Sequence, residues 1–425
     1  MSLPRYPEYR DTGVEWLGEV PSHWQVCAPK RLMSSAAGGT LIKGQCSDEP
    51  KEGLFPAFSA SGQDVWVENA TYSAPGLVLS AVGARCGKTF KADGQWGVVA
   101  NTHCLFPGSG ATRDYLWYLT NVESWWEKGG TAQPFVKVSD TLARLWVFPP
   151  ISEQKVISVF LDDEIAKIDA LIAEQAKLLA LLAEKRQATI AHAVTRGLDP
   201  NAPLKSSGIP WLGEVPAHWE VIRVKDVARL ESGHTPSKQF PEYWEDCDIP
   251  WVSLNDSKQL AANDYISETA VKINALGLAN SSARMLPLGT VVFTRDATIG
   301  LSAITTVPMA VSQHLIAWCP SERILALFLL RVFNAMKDHL DSYTFGATIK
   351  TIGMGDVKTL VTPLPPLAEQ EAIVRSIDLE LSKLDAAASD TSIAIALLKE
   401  RRSALIAAAV TGQIDVRGAV ESEAA

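Results

Sequence analysis

Residues 83–89 have the composition of a loop that binds nucleotide phosphates. They read GARCGKT, and in a phosphate-binding loop the backbone amides and the lysine hold phosphate oxygens. That loop places four residues between its two glycines. Only three lie between Gly83 and Gly87, and Val82 occupies the position where an earlier glycine would restore the spacing. The spacing therefore argues against a nucleotide-binding enzyme.

Other residue types that carry catalysis or bind metals are scattered along the chain. The 6 cysteines form no C-x-x-C pair, and there is no H-E-x-x-H, so we expect reduced thiols and no metal site. The pair Thr102-His103 resembles Gln313-His314, but no matched cysteine or acid accompanies either histidine. We therefore interpret both as structural, hydrogen-bonded histidines, and we expect no catalytic residue on this chain.

Polar and basic side chains in loops rich in Gly, Pro and Ser remain as candidates, and their chemistry suits DNA. Lysine and hydroxyl groups contact phosphates, whereas Arg, Asn and Gln read base edges. The candidates are Lys43, Arg85, Lys88 and Gln133 in the first half, and Thr235, Ser237, Lys238, Asn255, Arg295, Thr298 and Lys350 in the second. Each one alone fits a plain surface loop equally well. Polar loops at corresponding places in both halves favour a surface that faces a DNA groove.

The charge of the chain bears on this hypothesis. The formal net charge is -9, whereas a free-standing DNA-binding protein is usually basic. Two explanations stay open: the basic residues gather on one face of each domain, or a partner supplies much of the contact with phosphates.

The architecture follows from an internal repeat. The sequence WLGEVP occurs at residues 16–21 and again at 211–216. Residues 149–154, PPISEQ, likewise match residues 365–370, PPLAEQ. The ends of the two copies agree well and their interiors poorly. Self-similarity at a long period indicates a duplicated unit, here a strand-rich domain followed by a long helix.

The two helical segments carry matched apolar patterns. Residues 153–196 contain neither Pro nor Gly, and apolar positions recur at steps of three and four, as in a heptad seam. Gly197 and Gly412 stand where C-terminal caps belong. The seam consists of Leu161, Ile165, Ile168, Ile172, Leu179 and Leu182 in the first segment, and of Leu381, Leu384, Ile395 and Leu398 in the second.

Two arrangements of these helices are open. Each helix could pack only on its own domain, or the two could pair antiparallel about a pseudo-two-fold axis. The matched register favours pairing. About forty residues at 1.5 Å each would make a rod of ~60 Å that sets the distance between the two domains.

We therefore predict an α+β fold with two pseudo-symmetric strand-rich domains separated by two long helices, which pair as an antiparallel coiled coil. The domains are residues 1–150 and 198–366, the helices are 151–197 and 367–413, and 414–425 form a C-terminal tail. No apolar run reaches the ~18 residues of a membrane span, and the start of the chain lacks a secretion signal. We expect a cytoplasmic protein.

These motifs resemble the specificity (S) subunits of type I restriction-modification systems. The resemblance rests on the duplicated WLGEVP-x-HW opening, the loop GHTPS at 233–237, the PP-x-x-EQ helix starts and Ala-Val-Thr at both helix ends. It covers nearly the whole chain. The first domain departs from the pattern, because Leu41-Ile42-Lys43 follow Gly39-Thr40, so no residue role is carried over to residues 41–60.

The resemblance implies two target-recognition domains, each reading half of a bipartite, asymmetric site in double-stranded DNA. It implies a complex with two methyltransferase (M) subunits that methylate adenine, joined by restriction (R) subunits. S-adenosylmethionine, ATP and Mg would bind those partners, and this chain would hold no cofactor. A duplicated adaptor between proteins is the alternative class, and neighbouring genes for a methyltransferase and a helicase-nuclease would exclude it. The DNA target and its gap length stay open.

Overall fold

The computed structural model describes residues 3–15, 17–122, 124–345 and 350–421. The sequence predictions on Trp16, on the loop residues 346–349 and on the last four residues lie outside these ranges. The chain divides into two compact units. Unit 1 consists of residues 1–176 and 393–425, and unit 2 of residues 177–392, so each unit contains a segment of both long helices.

Unit 1 contains the first strand-rich domain. Its strands are β1 (Tyr9–Asp11), β2 (Glu19–Pro21), β3 (Gln25–Cys27), β4 (Met33–Ala37), β5 (Phe55–Ser59), β6 (Gly62–Val67), β7 (Gly76–Ser80), β8 (Thr89–Ala92), β9 (Gly97–Val98), β10 (Thr102–Pro107), β11 (Lys128–Gly129), β12 (Phe135–Val136) and β13 (Trp146–Phe148), and its short helices are α1 (Arg113–Thr120) and α2 (Val138–Ala143). Strands β4-β10-β7-β8 form an antiparallel sheet. A second sheet has the order β6-β5-β9, with β5 and β9 parallel. The all-buried strand β7 reads GLVLS, a continuous apolar run that places it in the core.

The first long helix, α3, runs from Ile151 to Arg196. The second strand-rich domain lies in unit 2. Its strands are β14 (Leu204–Ser206), β15 (Glu214–Pro216), β16 (Glu220–Arg223), β17 (Ala228–Ser232), β18 (Ile249–Val252), β19 (Tyr265–Ile266), β20 (Lys272–Ile273), β21 (Val291–Thr294), β22 (Ser302–Thr305), β23 (Ala310–Val311), β24 (Leu315–Pro320), β25 (Thr344–Phe345), β26 (Thr351–Ile352) and β27 (Val361–Leu364). Its short helices are α4 (Ser257–Ala262), α5 (Ala275–Ala279), α6 (Ala326–Ala335), α7 (Lys337–Leu340) and α8 (Met354–Val357).

The two domains share one topology. The large sheet of unit 2 has the order β17-β24-β21-β22, with β19 added at the edge, and the small sheet has the order β20-β18-β23 with β18 and β23 parallel. These orders repeat those of unit 1 strand for strand. The duplication inferred from the sequence ends is therefore a duplication of the whole domain fold, and the α+β class is confirmed.

The second long helix, α9, runs from Leu367 to Val410 and is followed by α10 (Arg417–Glu421). In unit 1 the helix segments lie antiparallel: Arg402 of α9 pairs with Asp169 of α3 at 3.3 Å, while the end of α9 at Val410 accepts a hydrogen bond from Tyr115 beside the start of α3. In unit 2, Arg186 of α3 pairs with Asp385 of α9 at 2.5 Å. The alternative in which each helix packs only on its own domain is therefore wrong.

The predicted seam positions lie on the more buried faces of the two long helices. Buried positions are Leu161, Ile165, Ile168, Leu381 and Leu384, and partly buried ones are Ile172, Leu179, Leu182, Ile395 and Leu398. Within the described ranges, no helix combines the length and low polarity that a membrane span requires.

The Glu-Gln pair at each helix start ties the helix to the domain that precedes it. Glu153 accepts hydrogen bonds from Trp24 Nε1 at 3.0 Å and from Tyr6 at 2.5 Å, and its other oxygen lies 2.8 Å from His23 Nε2. Glu369 holds the corresponding His-Trp pair of unit 2 in the same way. The repeated His-Trp and Glu-Gln motifs are therefore two halves of one contact.

Each helix end packs on the opening motif of a domain. Gly197 has φ +72 and lies against Trp219, whereas Gly412 has φ +76 and lies against Pro21 and Trp24. A Cβ at Gly412 would approach Pro21 to 2.6 Å. Both the left-handed backbone and the close approach require glycine, which confirms the predicted caps.

Candidate nucleic-acid interface

In unit 1, one edge of the domain collects the loops that carry polar side chains. Strands β5 and β9 are parallel, so their carboxyl ends meet at this edge, where Val99 N donates to Phe58 O at 3.1 Å. Ala100 N donates to Leu41 O at 2.7 Å, which brings in the loop after β4. Gly83 N donates to Pro134 O at 2.8 Å, which joins the β7–β8 turn to the β11–β12 hairpin.

Four predicted contact residues lie in the loops of unit 1. Arg85 and Lys88 lie in the β7–β8 turn and Gln133 in the adjoining hairpin, and all three are exposed. Arg85 donates one hydrogen bond to Ser61 O at 2.9 Å. Lys43 lies in the loop after β4 and pairs with Asp64 at 2.7 Å, a hydrogen bond that raises the pKa of the Lys43 amine.

Unit 2 builds the corresponding edge from the corresponding elements. Strands β18 and β23 are parallel, and Ser312 N donates to Val252 O at 2.9 Å. His234 N donates to Val311 O at 3.1 Å and Arg295 N to His314 O at 3.0 Å. The β21–β22 turn and the segment before β26 are joined by Ala297 N, which donates to Lys350 O at 2.9 Å.

The structure brings some of the predicted residues of unit 2 together. Thr235, Arg295, Thr298 and Lys350 lie in these joined loops. Exposed residues at neighbouring places are Ser237 and Lys238, further along the loop after β17, and Asn255, just beyond β18. Direct contacts of these residues with DNA stay a prediction.

A polar network in unit 2 contains three residues that the sequence did not single out as contacts. His314 Nδ1 lies 2.7 Å from Asp296 Oδ2, and His314 Nε2 lies 3.2 Å from Gln313 Nε2. The amide oxygen of Gln313 accepts a hydrogen bond from Thr235 Oγ1. The network thus joins the β21–β22 turn, the loop before β24 and the loop after β17.

Polar atoms beside this network lack hydrogen-bond partners. Asp296 Oδ1 and Arg295 Nε are buried without a hydrogen bond but form an ion pair at 3.6 Å, and Ser312 Oγ is buried without a hydrogen bond. Arg295 and Asp296 thus hold each other at the buried end of the network.

The structure corrects the predicted correspondence between His103 and His314. The bond from Ala81 N to Asn101 O matches the bond from Arg295 N to His314 O, so His314 corresponds to Asn101. His103 lies two residues further along, within β10, paired with Ala37 and Leu79. Burial there lowers the pKa of the His103 imidazole. The expectation that His314 is a hydrogen-bonded histidine agrees with its bond to Asp296.

The same pairing gives the register of the whole edge. Arg295 takes the backbone position of Ala81, and Asp296 that of Val82, since both form an isolated bridge to the following hairpin. The short motif Gln313-His314 was visible in the sequence. Its link to Asp296 carried no sequence signal, because the two segments meet only through sheet pairing.

Fold and site together define a class of protein: a duplicated α+β domain, each copy with a polar loop edge and a long helix. A family model described as "Type I restriction modification DNA specificity domain" matches residues 216–387. The chain is 30% identical over 166 residues to the MjaIX specificity subunit of Methanocaldococcus jannaschii, covering 38% of each chain. It thus spans well under two thirds of that relative.

Two further comparisons cover nearly the whole chain. The EcoDI specificity subunit of Escherichia coli is 20% identical over 427 residues, covering 95% of this chain and 92% of that one. A solved structure titled for complex assembly and conformational transition of the type I R-M system superposes with a TM-score of 0.68 at 16% identity, covering 92% of this chain and 98% of that chain. Residues 216–387 thus match the family model of type I restriction-modification DNA specificity domains, and nearly the whole chain is similar in sequence to a type I specificity subunit.

Proposed function

We propose that this chain selects the DNA sequence on which a type I restriction-modification complex acts. Each domain reads one half of a bipartite, asymmetric target. The observation that carries this proposal is the shared backbone frame of the two loop edges with different side chains at matched positions, such as Ala81 against Arg295 and Asn101 against His314. A common frame with different side chains suits the reading of two different half-sites.

We propose further that the chain is not an enzyme and binds no cofactor. The segment 83–89 gives one line of support, because most of its amides are already occupied. Gly83 N, Cys86 N, Gly87 N and Lys88 N all donate to protein carbonyls at 2.8 to 3.1 Å. They are therefore not free to cradle phosphates as the amides of a nucleotide-binding loop do.

The partners in this proposal are two methyltransferase (M) subunits and restriction (R) subunits. The M subunits would bind S-adenosylmethionine and methylate adenine, and the R subunits would use ATP and Mg. M subunits alongside the DNA would also supply phosphate contacts, which accommodates the net charge of -9. We place the complex in the cytoplasm.

Apolar side chains on the long helices support the recruitment of partners. Outside the seam, exposed apolar residues are Val159, Leu171, Ile393 and Leu397 in unit 1, and Leu178, Leu181, Leu367 and Leu379 in unit 2. Contiguous apolar side chains at a surface often mark sites of protein contact, and Leu178 with Leu181, and Ile393 with Leu397, lie one helical turn apart.

The test compares the purified chain, its M subunit and the two together on genomic DNA with S-adenosylmethionine. We expect methylation by the complex at one bipartite motif and none by the chain alone. Sequencing of methylated bases in cells with and without the gene gives the motif directly. Methyl transfer by the isolated chain, or a motif that does not depend on the gene, would contradict the proposal.

A further inference from the structure

We propose that Gln313 reads an adenine in the half-site recognised by the second domain, and that His314 and Asp296 set the orientation of its amide. The inference deepens the proposed function and rests on it. Gln313 is exposed at the loop edge of unit 2, whereas Asp296 is buried behind it. The network therefore runs from a buried carboxylate to an exposed amide.

With a neutral His314 ring, the network fixes which end of the Gln313 amide is the donor. A carboxylate only accepts hydrogen bonds, so the His314 nitrogen 2.7 Å from Asp296 carries a proton. The other ring nitrogen of a neutral imidazole is then an acceptor, and it faces the Gln313 nitrogen at 3.2 Å. On the opposite side, the Gln313 oxygen accepts from the Thr235 hydroxyl. Reversing the amide would set its oxygen, an acceptor, against the acceptor nitrogen of His314.

The donor and acceptor of the Gln313 amide that remain free indicate which base it reads. After its bond to His314, the Gln313 amino group has one further N–H, and after its bond to Thr235 the oxygen has one further lone pair. One donor beside one acceptor complements N7 and the N6 amino group of adenine in the major groove. Guanine presents two acceptors there, which this amide cannot match.

The first domain lacks this arrangement. Ala100 corresponds to Gln313, Asn101 to His314 and Val82 to Asp296. No amide stands at position 100, and no carboxylate stands behind Asn101. The inference therefore assigns amide-based reading of adenine at this loop to the second half-site alone.

The experiment uses the full chain in complex with its M subunit. The wild-type motif is determined first, and initial methylation rates are then measured on duplexes that carry each of the four base pairs at every position of both half-sites. Gln313→Ala should lose the preference for an A·T pair at one position by about 5- to 150-fold, which is ~1–3 kcal/mol at 1.4 kcal/mol per factor of ten. All other positions should keep their preferences.

Two further variants separate reading from positioning. Gln313→Glu removes the donor, and because a carboxylate accepts from the cytosine amino group, the preferred base at the same position should become cytosine. His314→Ala releases the amide, so it should reduce discrimination at that position only. Combining it with Gln313→Ala should then add nothing. Gln259→Ala is the control, since Gln259 lies in the same domain outside the network.

The outcomes are distinct for the inference and for the proposed function. A second half-site without an A·T pair, or unchanged base preferences in the Gln313 variants, would overturn the inference and leave the proposed function standing. Methylation that does not depend on this chain would remove the proposed function itself. Gln313 is exposed, so its substitution removes no buried packing, and circular dichroism of each variant verifies the fold.

Discussion

A single added charge at Gln154 should make the stability of unit 1 depend on pH. The Gln154 side chain is fully buried. Its oxygen accepts from Thr112 N at 2.7 Å, and its nitrogen donates to Gly110 O at 3.0 Å and to Pro149 O at 2.9 Å. Gln154→Glu keeps the shape and the acceptor, but it replaces the amino group with an oxygen that faces two carbonyl oxygens.

The size of the effect follows from these bonds. An ionised carboxyl leaves both carbonyls without a donor, and each unsatisfied buried group costs about 1–3 kcal/mol, so we expect a loss of roughly 2–6 kcal/mol at neutral pH. A protonated carboxyl restores one donor. Burial and the carbonyls thus raise the pKa of the new carboxyl above its usual ~4.3. Below pH ~4.3 the variant should keep most of its free energy of unfolding. As pH rises above ~4.3, this free energy should fall by up to ~1.4 kcal/mol per pH unit.

The assay is urea unfolding at several pH values, with hydrogen exchange of the α1 amides as a local measure. Gln370→Glu is the matched variant, because Gln370 makes the same three bonds in unit 2. Gln175→Glu is the control on a partly exposed turn of α3. The reasoning would be refuted if the Gln154→Glu variant were as stable as the control variant. It would also be refuted if Gln154→Glu lost the same free energy of unfolding at low pH as at neutral pH.

The remaining predictions concern DNA contact, alkaline pH and the duplication. Lys88→Ala should weaken methylation of all sequences alike and reduce by about one the slope of log affinity against log salt concentration. Arg295→Ala should instead relax the base preference at one position of the target, at a cost of ~1–3 kcal/mol. Normal methylation by both variants, and by Arg85→Ala and Lys238→Ala, would show that these residues do not contact DNA. Burial raises the pKa of the buried phenols of unit 1, Tyr6, Tyr115 and Tyr118, so their stabilisation is complete below pH ~10 and falls as pH rises above it; hydrogen exchange should show unit 1 loosening before unit 2, and simultaneous loosening would contradict this. The half-chain ending at Pro203 should pair with a second copy of itself and, with M subunits, methylate an inverted repeat of the first half-site; a monomeric half-chain complex or an unsymmetric motif would oppose it. One heptad added to each long helix should lengthen the gap by about three base pairs, at ~10 Å of helix and ~3.4 Å per base pair; an unchanged gap would show that the helices are not the ruler.

The sequence was sufficient where the structure depends on local or repeated patterns. The helix ends were predictable because Gly197 and Gly412 end long segments without Pro or Gly, and only glycine suits their backbone. The seam followed from the spacing of residues such as Leu161 and Leu381. The contact between Glu153 and Trp24 was not predicted, although both motifs recur in the second copy.

The loop edges could not be predicted to the same depth. Asp296 and His314 meet only because β21 pairs with β24, and no spacing in the sequence encodes that pairing. The correspondence of His103 with His314 was wrong by two residues. A shift of two keeps the alternation of a strand, so the apolar pattern of β10 fits both registers, and only the hydrogen bonds distinguish them.

The turns after β7 and β21 follow the same backbone path but carry different side chains. Gly83 and Ala297 both have positive φ, +97 and +62, and both donate to the hairpin that follows. The backbone thus keeps the same path even where a side chain makes that conformation unfavourable. Because the path is held by main-chain hydrogen bonds, the side chains beside it are free to differ, as Val82 and Asp296 do. Main-chain bonds therefore preserve the fold of each copy, and under the proposed function the side chains that vary around them would select the DNA sequence.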